Sequence, residues 1–187
     1  MSFEQTDEAL MVSYSQGDAV AFAELYERHR GGLYRFVRRQ IASQALADEL
    51  YQDIWMKLVA ARQSYAPKAK FTTFLYRLAR NHLTDFYRGQ ARRAGMSLVS
   101  DASPDSVIDG KTPTPDQSLV REQTVQRIGA ILAEMPEAQR SVFLMRQEAG
   151  LTINEIASAM DEGMETVKSR LRYALAKLRT GLDGDHE

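Results

Sequence analysis

Five arginines and five aromatic rings share the segment 71–93. Arg77, Arg80, Arg88, Arg92 and Arg93 interleave with Phe71, Phe74, Tyr76, Phe86 and Tyr87, and Asp85 is the only acid among them. Guanidinium groups hold phosphates, and an exposed ring offers a face on which an unpaired base stacks, worth about 1–3 kcal/mol for each base. Such a surface favours separated strands over duplex. Asn81, inside the same block, carries an amide of the kind that reads a base edge; on a helix surface it would be only a solvated amide. Phe74, Leu78 and Phe86 fall on one helical face and are expected in a core, whereas Phe71 and Tyr87, at the ends, are expected to be exposed.

A second group lies near the C-terminus. Lys168, Arg170, Arg172, Lys177 and Arg179 stand against a single acid, Glu165, with Thr166 and Ser169 interspersed. Ahead of them, Thr152 and Glu155 have the spacing of a helix N-cap and its reciprocal partner. Ile156, Ala157 and Met160 mark a short helix, Asp161-Glu162-Gly163 a turn, and Val167 and Leu171 the buried side of a longer helix. Ala157 is small where two crossing helices approach most closely. This pattern predicts a helix-turn-helix whose second helix meets phosphates and base edges in the major groove. Many such turns begin with Gly. Here Asp161 holds that place, and Asp enters the left-handed region more readily than most residues.

These groups need elements to position them, and apolar spacing supplies helices. Phe71, Phe74, Leu75, Leu78, Ala79, Leu83 and Phe86 repeat at three and four residues. Leu50, Ile54, Trp55, Leu58 and Val59 do the same, with Asp48 and Glu49 expected in the first turn, where the helix dipole favours acids. Phe22, Leu25, Tyr26, Leu33, Phe36, Val37 and Ile41 indicate one or two helices around Gly31-Gly32. Val125, Ile128, Ile131 and Leu132 form a stripe ended by Pro136, and Val142, Phe143 and Met145 belong to the next. Strand alternation is not seen. Between the two groups, 94–117 is rich in Pro, Gly, Ser and Asp and reads as a linker. Two domains follow, 1–93 and 118–187.

With 44% hydrophobic residues in 187, the chain can build packed cores. It has no cysteine, which excludes disulfides and cysteine-ligated metal and fits a reducing cytoplasm. Signal peptide and membrane span are both absent from the pattern. The net charge of −1 argues against a general polyanion binder, yet it hides an uneven distribution. Residues 1–93 carry 14 Lys+Arg against 10 Asp+Glu, 94–117 carry 1 against 4, and 118–187 carry 9 against 11.

An acidic amphipathic helix at 47–58, then the aromatic-basic block, a Pro-containing linker and a terminal helix-turn-helix make a distinctive order. It resembles the extracytoplasmic-function (group 4) sigma factors of the sigma-70 family over nearly the whole chain. The resemblance implies an all-α fold: two small helical domains, regions 2 and 4, joined by a flexible linker. It implies that Asp48, Glu49, Gln52, Asp53 and Trp55 dock on the β′ clamp helices of core RNA polymerase, whose β flap is a further contact. It matches Asn81 and the loop 64–70 to a pocket for a flipped base of the −10 element, which Phe71, Arg77, Arg80, Tyr87 and Arg88 would support. Lys168, Ser169, Arg172 and Tyr173 match −35 contacts, to which the helix itself adds Thr166 and Arg170. Where many relatives extend the recognition helix as a basic run, this chain has Arg172, Tyr173, Ala174 and Leu175. Asp101, Asp105, Asp109 and Asp116 of the linker would lead toward the polymerase active-site and RNA-exit channel. The partners implied are core polymerase, promoter DNA and an anti-sigma factor, membrane-anchored or soluble, with no cofactor and no small-molecule substrate.

Two other classes compete. One is a dimeric helix-turn-helix regulator of operator duplex, for which the aromatic-basic block has no use. The other is a nucleic-acid enzyme, but only His29, His82 and His186 are available, and no carboxylate cluster has metal-ligand spacing.

Overall fold

The computed structural model describes residues 5–94 and 115–183, and these are helical apart from their connections. The expected linker, 94–117, lies almost wholly outside the described residues, as do its four aspartates except Asp116.

Local signals place the helix starts. Helix α1 (Asp7–Ser15) opens with the Thr6 hydroxyl accepting from the Ala9 N–H, and Asp7 and Glu8 fill its first turn. Helix α2 (Ala19–Arg38) is capped by Asp18, whose carboxylate accepts from Val20 and Ala21. It runs unbroken through Gly31-Gly32, so the one-or-two-helix expectation resolves to one. Helix α3 (Gln44–Ala61) starts from Ser43, earlier than its apolar stripe suggests. Asp48 and Glu49 therefore sit past the first turn, where the helix dipole no longer acts on them. A 3-10 turn at Arg62–Ser64 and a loop lead to helix α4 (Phe71–Ala94).

Helix α5 (Pro115–Ala133) begins three residues before the expected domain start at 118. Proline marks a breaker inside a helix, but at the first helical position its fixed φ and missing N–H cost nothing. Helix α6 (Glu137–Ala149) ends on Gly150, whose φ of 63° a Cβ would oppose. Helices α7 (Ile153–Met160) and α8 (Met164–Asp183) form the helix-turn-helix.

Helices α1 to α4 pack round Leu25, Leu33, Phe36, Val37, Ile54, Leu58, Leu75 and Leu83. Helices α5 to α8 pack round Leu132, Val142, Met145, Ile156, Met160, Val167 and Ala174. The two modules also pack on each other, α6 against α2 and α7 against α4, so their buried residues form one continuous cluster. Apolar periodicity foretold the modules but not this contact.

Phe36 lies wholly buried in α2, its ring 5.1 Å from that of Tyr76 and nearly perpendicular to it. Phe36→Ala should lower unfolding stability by about 3–5 kcal/mol, measured by denaturant titration. A loss below about 1 kcal/mol would contradict this packing.

Candidate nucleic-acid interface

Helix α4 separates the aromatic-basic block into an inner and an outer set. Phe71, expected at an exposed end, is 0% exposed. Its ring lies 5.1 Å from that of His29, and its N–H donates to the Glu8 carboxylate at 2.7 Å. The cause is α1. Asp7 accepts from Arg28 and lies 2.7 Å from His29 Nε2, which folds α1 over the start of α4 and roofs the ring. Tyr87 is half-buried, its hydroxyl donating to the Gln40 carbonyl at 2.7 Å, and burial raises its pKa. Phe74, Leu78 and Phe86 lie partly buried against the core, as their spacing predicts.

The outer set is narrower. Arg77, Asn81, Asp85 and Arg88 are exposed, and their spacing of four, four and three residues makes one stripe along α4. The Arg77 guanidinium lies over the Phe74 ring, 5.8 Å from its centre. Arg80, half-buried, reaches the Asn81 side-chain oxygen at 3.4 Å. Arg92 and Arg93 continue the positive charge into the last turn. This arrangement presents cations and an amide to solvent, with few exposed ring faces.

On α3, Glu49, Gln52 and Asp53 are exposed, while Asp48 accepts from the Tyr34 hydroxyl at 2.9 Å. Asp53 also lies 3.3 Å from His82 of α4. Burial, followed by Lys57, holds the pKa of His82 below its ordinary value, against the opposing pull of Asp53. Trp55 is different. It is only 6% exposed and packs among Tyr26, Phe22 and Tyr51, with ring centres 4.9, 5.9 and 6.3 Å away. A ring enclosed in this way offers almost no surface to a partner, in contrast to the expectation that Trp55 itself docks, and it packs beneath the exposed residues of α3. Met56, 65% exposed, completes a stripe with Glu49, Gln52 and Asp53 that the reading of the sequence missed. Its heptad distance from Glu49 was the available signal.

The helix-turn-helix follows its predicted chemistry closely. The Thr152 hydroxyl accepts from the Glu155 N–H, and the Glu155 carboxylate accepts from the Thr152 N–H at 2.8 Å, closing the capping box. The pKa of Glu155 is lowered, first by Lys70 and then by that Thr152 N–H. Asp161 takes φ 54°, ψ 49°, the left-handed conformation expected of the turn. Ala157 is buried beside it.

On α8, Lys168, Arg172, Leu175 and Arg179 share one stripe, and with Ile153 and Leu171 they line a shallow groove. Tyr173 is exposed, with the Arg172 guanidinium 5.5 Å from its ring centre. Thr166 is exposed and Ser169 half-buried. Lys168 is paired with Glu165 at 2.7 Å, an exposed contact that water and salt weaken. Arg170 is tied to Glu162 of the turn, and Lys177 donates to the carbonyl of Glu134, the residue just past α5. Among the described residues, no group of three His, Cys, Asp or Glu is placed to hold a metal, and no helix is long and apolar enough to cross a membrane.

Comparison with known proteins follows the same division. Residues 25–93 match the family described as Sigma-70 region 2, and residues 131–180 match Sigma-70, region 4. The ECF RNA polymerase sigma-E factor of Escherichia coli strain K12 is 29% identical over 175 residues, covering 91% of each chain. The RNA polymerase sigma factor CnrH of Cupriavidus metallidurans is 25% identical over 190 residues, covering 100% of both. In solved structures, CnrH in complex with the cytosolic domain of CnrY superimposes with a TM-score of 0.71 at 21% identity, covering 97% of this chain and 99% of that one. The sigma factor RpoE in complex with the anti-sigma factor NepR, from Bartonella quintana, gives 0.75 at 20%, covering 88% and 98%.

The left-handed turn is testable by itself. Asp161→Val, β-branched, should cost about 1–2 kcal/mol of stability, whereas Asp161→Gly should stay within about 1 kcal/mol of the parent. Equal thermal unfolding of both variants would rule out the left-handed conformation at that position.

Proposed function

The chain belongs to the sigma-70 family, in its extracytoplasmic-function group, and from that premise we propose how its surfaces act in transcription initiation. It binds core RNA polymerase and directs it to promoters, working in the cytoplasm as a recognition factor with no catalytic step of its own. One observation carries this reading: a single chain holds both an exposed Arg77-Asn81-Arg88 stripe on α4 and a basic recognition helix in a capped helix-turn-helix.

Each surface has a role. Glu49, Gln52, Asp53 and Met56 of α3, with Asp48, offer the clamp helices of the β′ subunit an acidic face with one apolar anchor. Trp55 keeps that face rigid from below. Region 4 contacts the β flap. The α8 residues Lys168, Arg172 and Tyr173, with Thr166 and Ser169, read −35 duplex, while Arg170 chiefly holds the turn that aims them. On α4, Asn81 and the loop 64–70 receive a flipped base of the −10 element. Arg77, Arg80 and Arg88 hold the non-template backbone. Phe71 and Tyr87 shape the pocket from inside. Extruding a base costs a few kcal/mol. Phosphate contacts and the base pocket offset that cost in the open state alone, so opening needs no hydrolysis by this chain. Polymerase tethers both modules, and two modest affinities then combine through effective concentration.

A protein partner controls availability. The similar RpoE is seen with an anti-sigma factor, and we extend that relation to this chain, with an anti-sigma protein, membrane-anchored or soluble, holding it from polymerase until a signal releases it. Run-off transcription with core polymerase on a genomic promoter library tests the whole reading. Defined start sites that depend on this chain are expected, and none would refute it.

Two variants divide the surfaces. Asn81→Ala should impair opening while leaving polymerase binding intact, so permanganate reactivity at −10 should fall about tenfold or more; unchanged reactivity would remove Asn81 from the pocket. Lys168→Ala should weaken −35 duplex binding and reduce the slope of log affinity against log salt by about one. Equal slopes for variant and parent would dismiss that phosphate contact.

A further inference from the structure

We propose that α1 is a brace for the loop 64–70, and that Glu8 is the residue that positions this loop for the base taken from the −10 element. The proposal rests on the function given above and adds a positioning residue to the same site.

Helix α4 opens without a local cap. Residues 67–70 ahead of it bring no accepting side chain, and its first turn holds no acid. The first N–H groups of a helix have no partner within it, and that end of the helix favours a carboxylate. Glu8 of α1 meets both needs, accepting from the Phe71 N–H at 2.7 Å across 63 residues of sequence. A capping side chain ordinarily belongs to the residue just before its helix. Here the cap comes from a distant element and ties the start of α4 to α1.

The other end of the loop is tied to the other end of α1. The Ser15 carbonyl lies in the last turn of α1, where carbonyls lack an intrahelical donor, and it accepts from Gln63 Nε2 at 3.2 Å. Next to Gln63, Arg62 lies over the Tyr14 ring, 5.8 Å from its centre. Glu8 and Ser15 are separated by about 10 Å along the helix axis. Helix α1 therefore has a hold on each side of the loop. It is itself fixed on α2, since Asp7 accepts from Arg28 at 2.8 Å and lies 2.7 Å from His29 Nε2, and Leu10 and Met11 are buried.

The loop depends on these holds. Residues 66–70 are exposed, and a turn at Pro67, with the Lys68 N–H donating to the Ala66 carbonyl at 2.7 Å, orders only its middle. Its single ring, Tyr65, lies 5.1 Å from the Phe74 ring, and the Arg77 guanidinium stands 5.8 Å from the centre of Phe74 on α4. Burial, followed by the acids Glu8 and Asp7, pushes the Tyr65 pKa up to about 12. Arg77 is one turn before Asn81. A shift at either end of the loop therefore passes through Tyr65 and Phe74 to the stripe that reads the base, although Glu8 is not part of that stripe. A loosened pocket holds the right base less well and rejects the others less sharply.

Two readouts on the full chain test this. In the free protein, hydrogen exchange of the backbone amides in 65–73 reports the brace. Glu8→Ala should speed it by about tenfold, the loss of a charge-assisted hydrogen bond. Glu8→Gln keeps an accepting oxygen and should stay within about threefold of the parent. Circular dichroism should show the parent's helicity in both. In holoenzyme with core polymerase, promoters found by the run-off library and carrying single-base changes across −10 report positioning. The ratio of transcript from the preferred base to transcript from the others should fall by about threefold or more with Glu8→Ala and recover with Glu8→Gln. A variant that only folds less well lowers both transcripts alike and leaves that ratio as it was. Unchanged exchange in Glu8→Ala overturns the brace. Faster exchange with an unchanged ratio overturns the positioning role, and a Gln variant no better than Ala overturns the hydrogen bond as its means. Exchange needs no polymerase, so a lack of transcript from every form, parent included, would refute the proposed function while the brace is still decided by exchange.

Discussion

A carboxylate leaves water only where positive charge replaces its hydration, and Glu148 finds that replacement in two arginines of a distant helix. With its neighbour Ser141, it fixes where α6 sits on α2. From this follow the approach of α7 to α4 and the burial of Gln40. Removing either arginine would leave a buried charge short of compensation.

A second constraint shapes α4. A helix 24 residues long that carries both aromatics and arginines must hide one and expose the other, or it would aggregate. The rings turn inward: Phe71 under α1, Phe74 beside Tyr65, Tyr76 against Phe36, and Tyr87 toward the Gln40 carbonyl. Cations and Asn81 are left outside. The exposed face of α4 thus carries charge and one amide, with the aromatic mass packed beneath it. Trp55 does the same for α3, where a large ring beneath the surface stabilises a face made of Glu49, Gln52, Asp53 and Met56.

The helix-turn-helix shows the opposite economy, since almost everything there is local. The capping box spans four residues, and the turn depends on one residue able to take a positive φ. Basic side chains nevertheless divide by position. Lys168, Arg172 and Arg179 point to solvent along one stripe, while Arg170 holds the turn and Lys177 the residue just past α5. Five basic residues on one helix therefore do not mean five contacts with DNA.

The sequence alone determined what short range governs. Apolar repeats at three and four residues specified helices, Thr152 with Glu155 specified a helix start, and Asp161 specified the turn, because each depends on neighbours within one or two helical turns. The two helical modules were legible for the same reason, whereas the function came from the resemblance of the motif order to a known family. What only the tertiary structure decided was exposure and contact between distant segments. Nothing near Phe71 in the chain announces that α1 will cover it, since Glu8 lies 63 residues earlier. Nor does the spacing around Trp55 tell a core ring from a docking ring, because both fit an amphipathic helix. The meeting of Glu148 with Arg35 and Arg39 joins residues 113 and 109 apart in sequence, and such pairings arise from how whole helices stack, which no local pattern encodes.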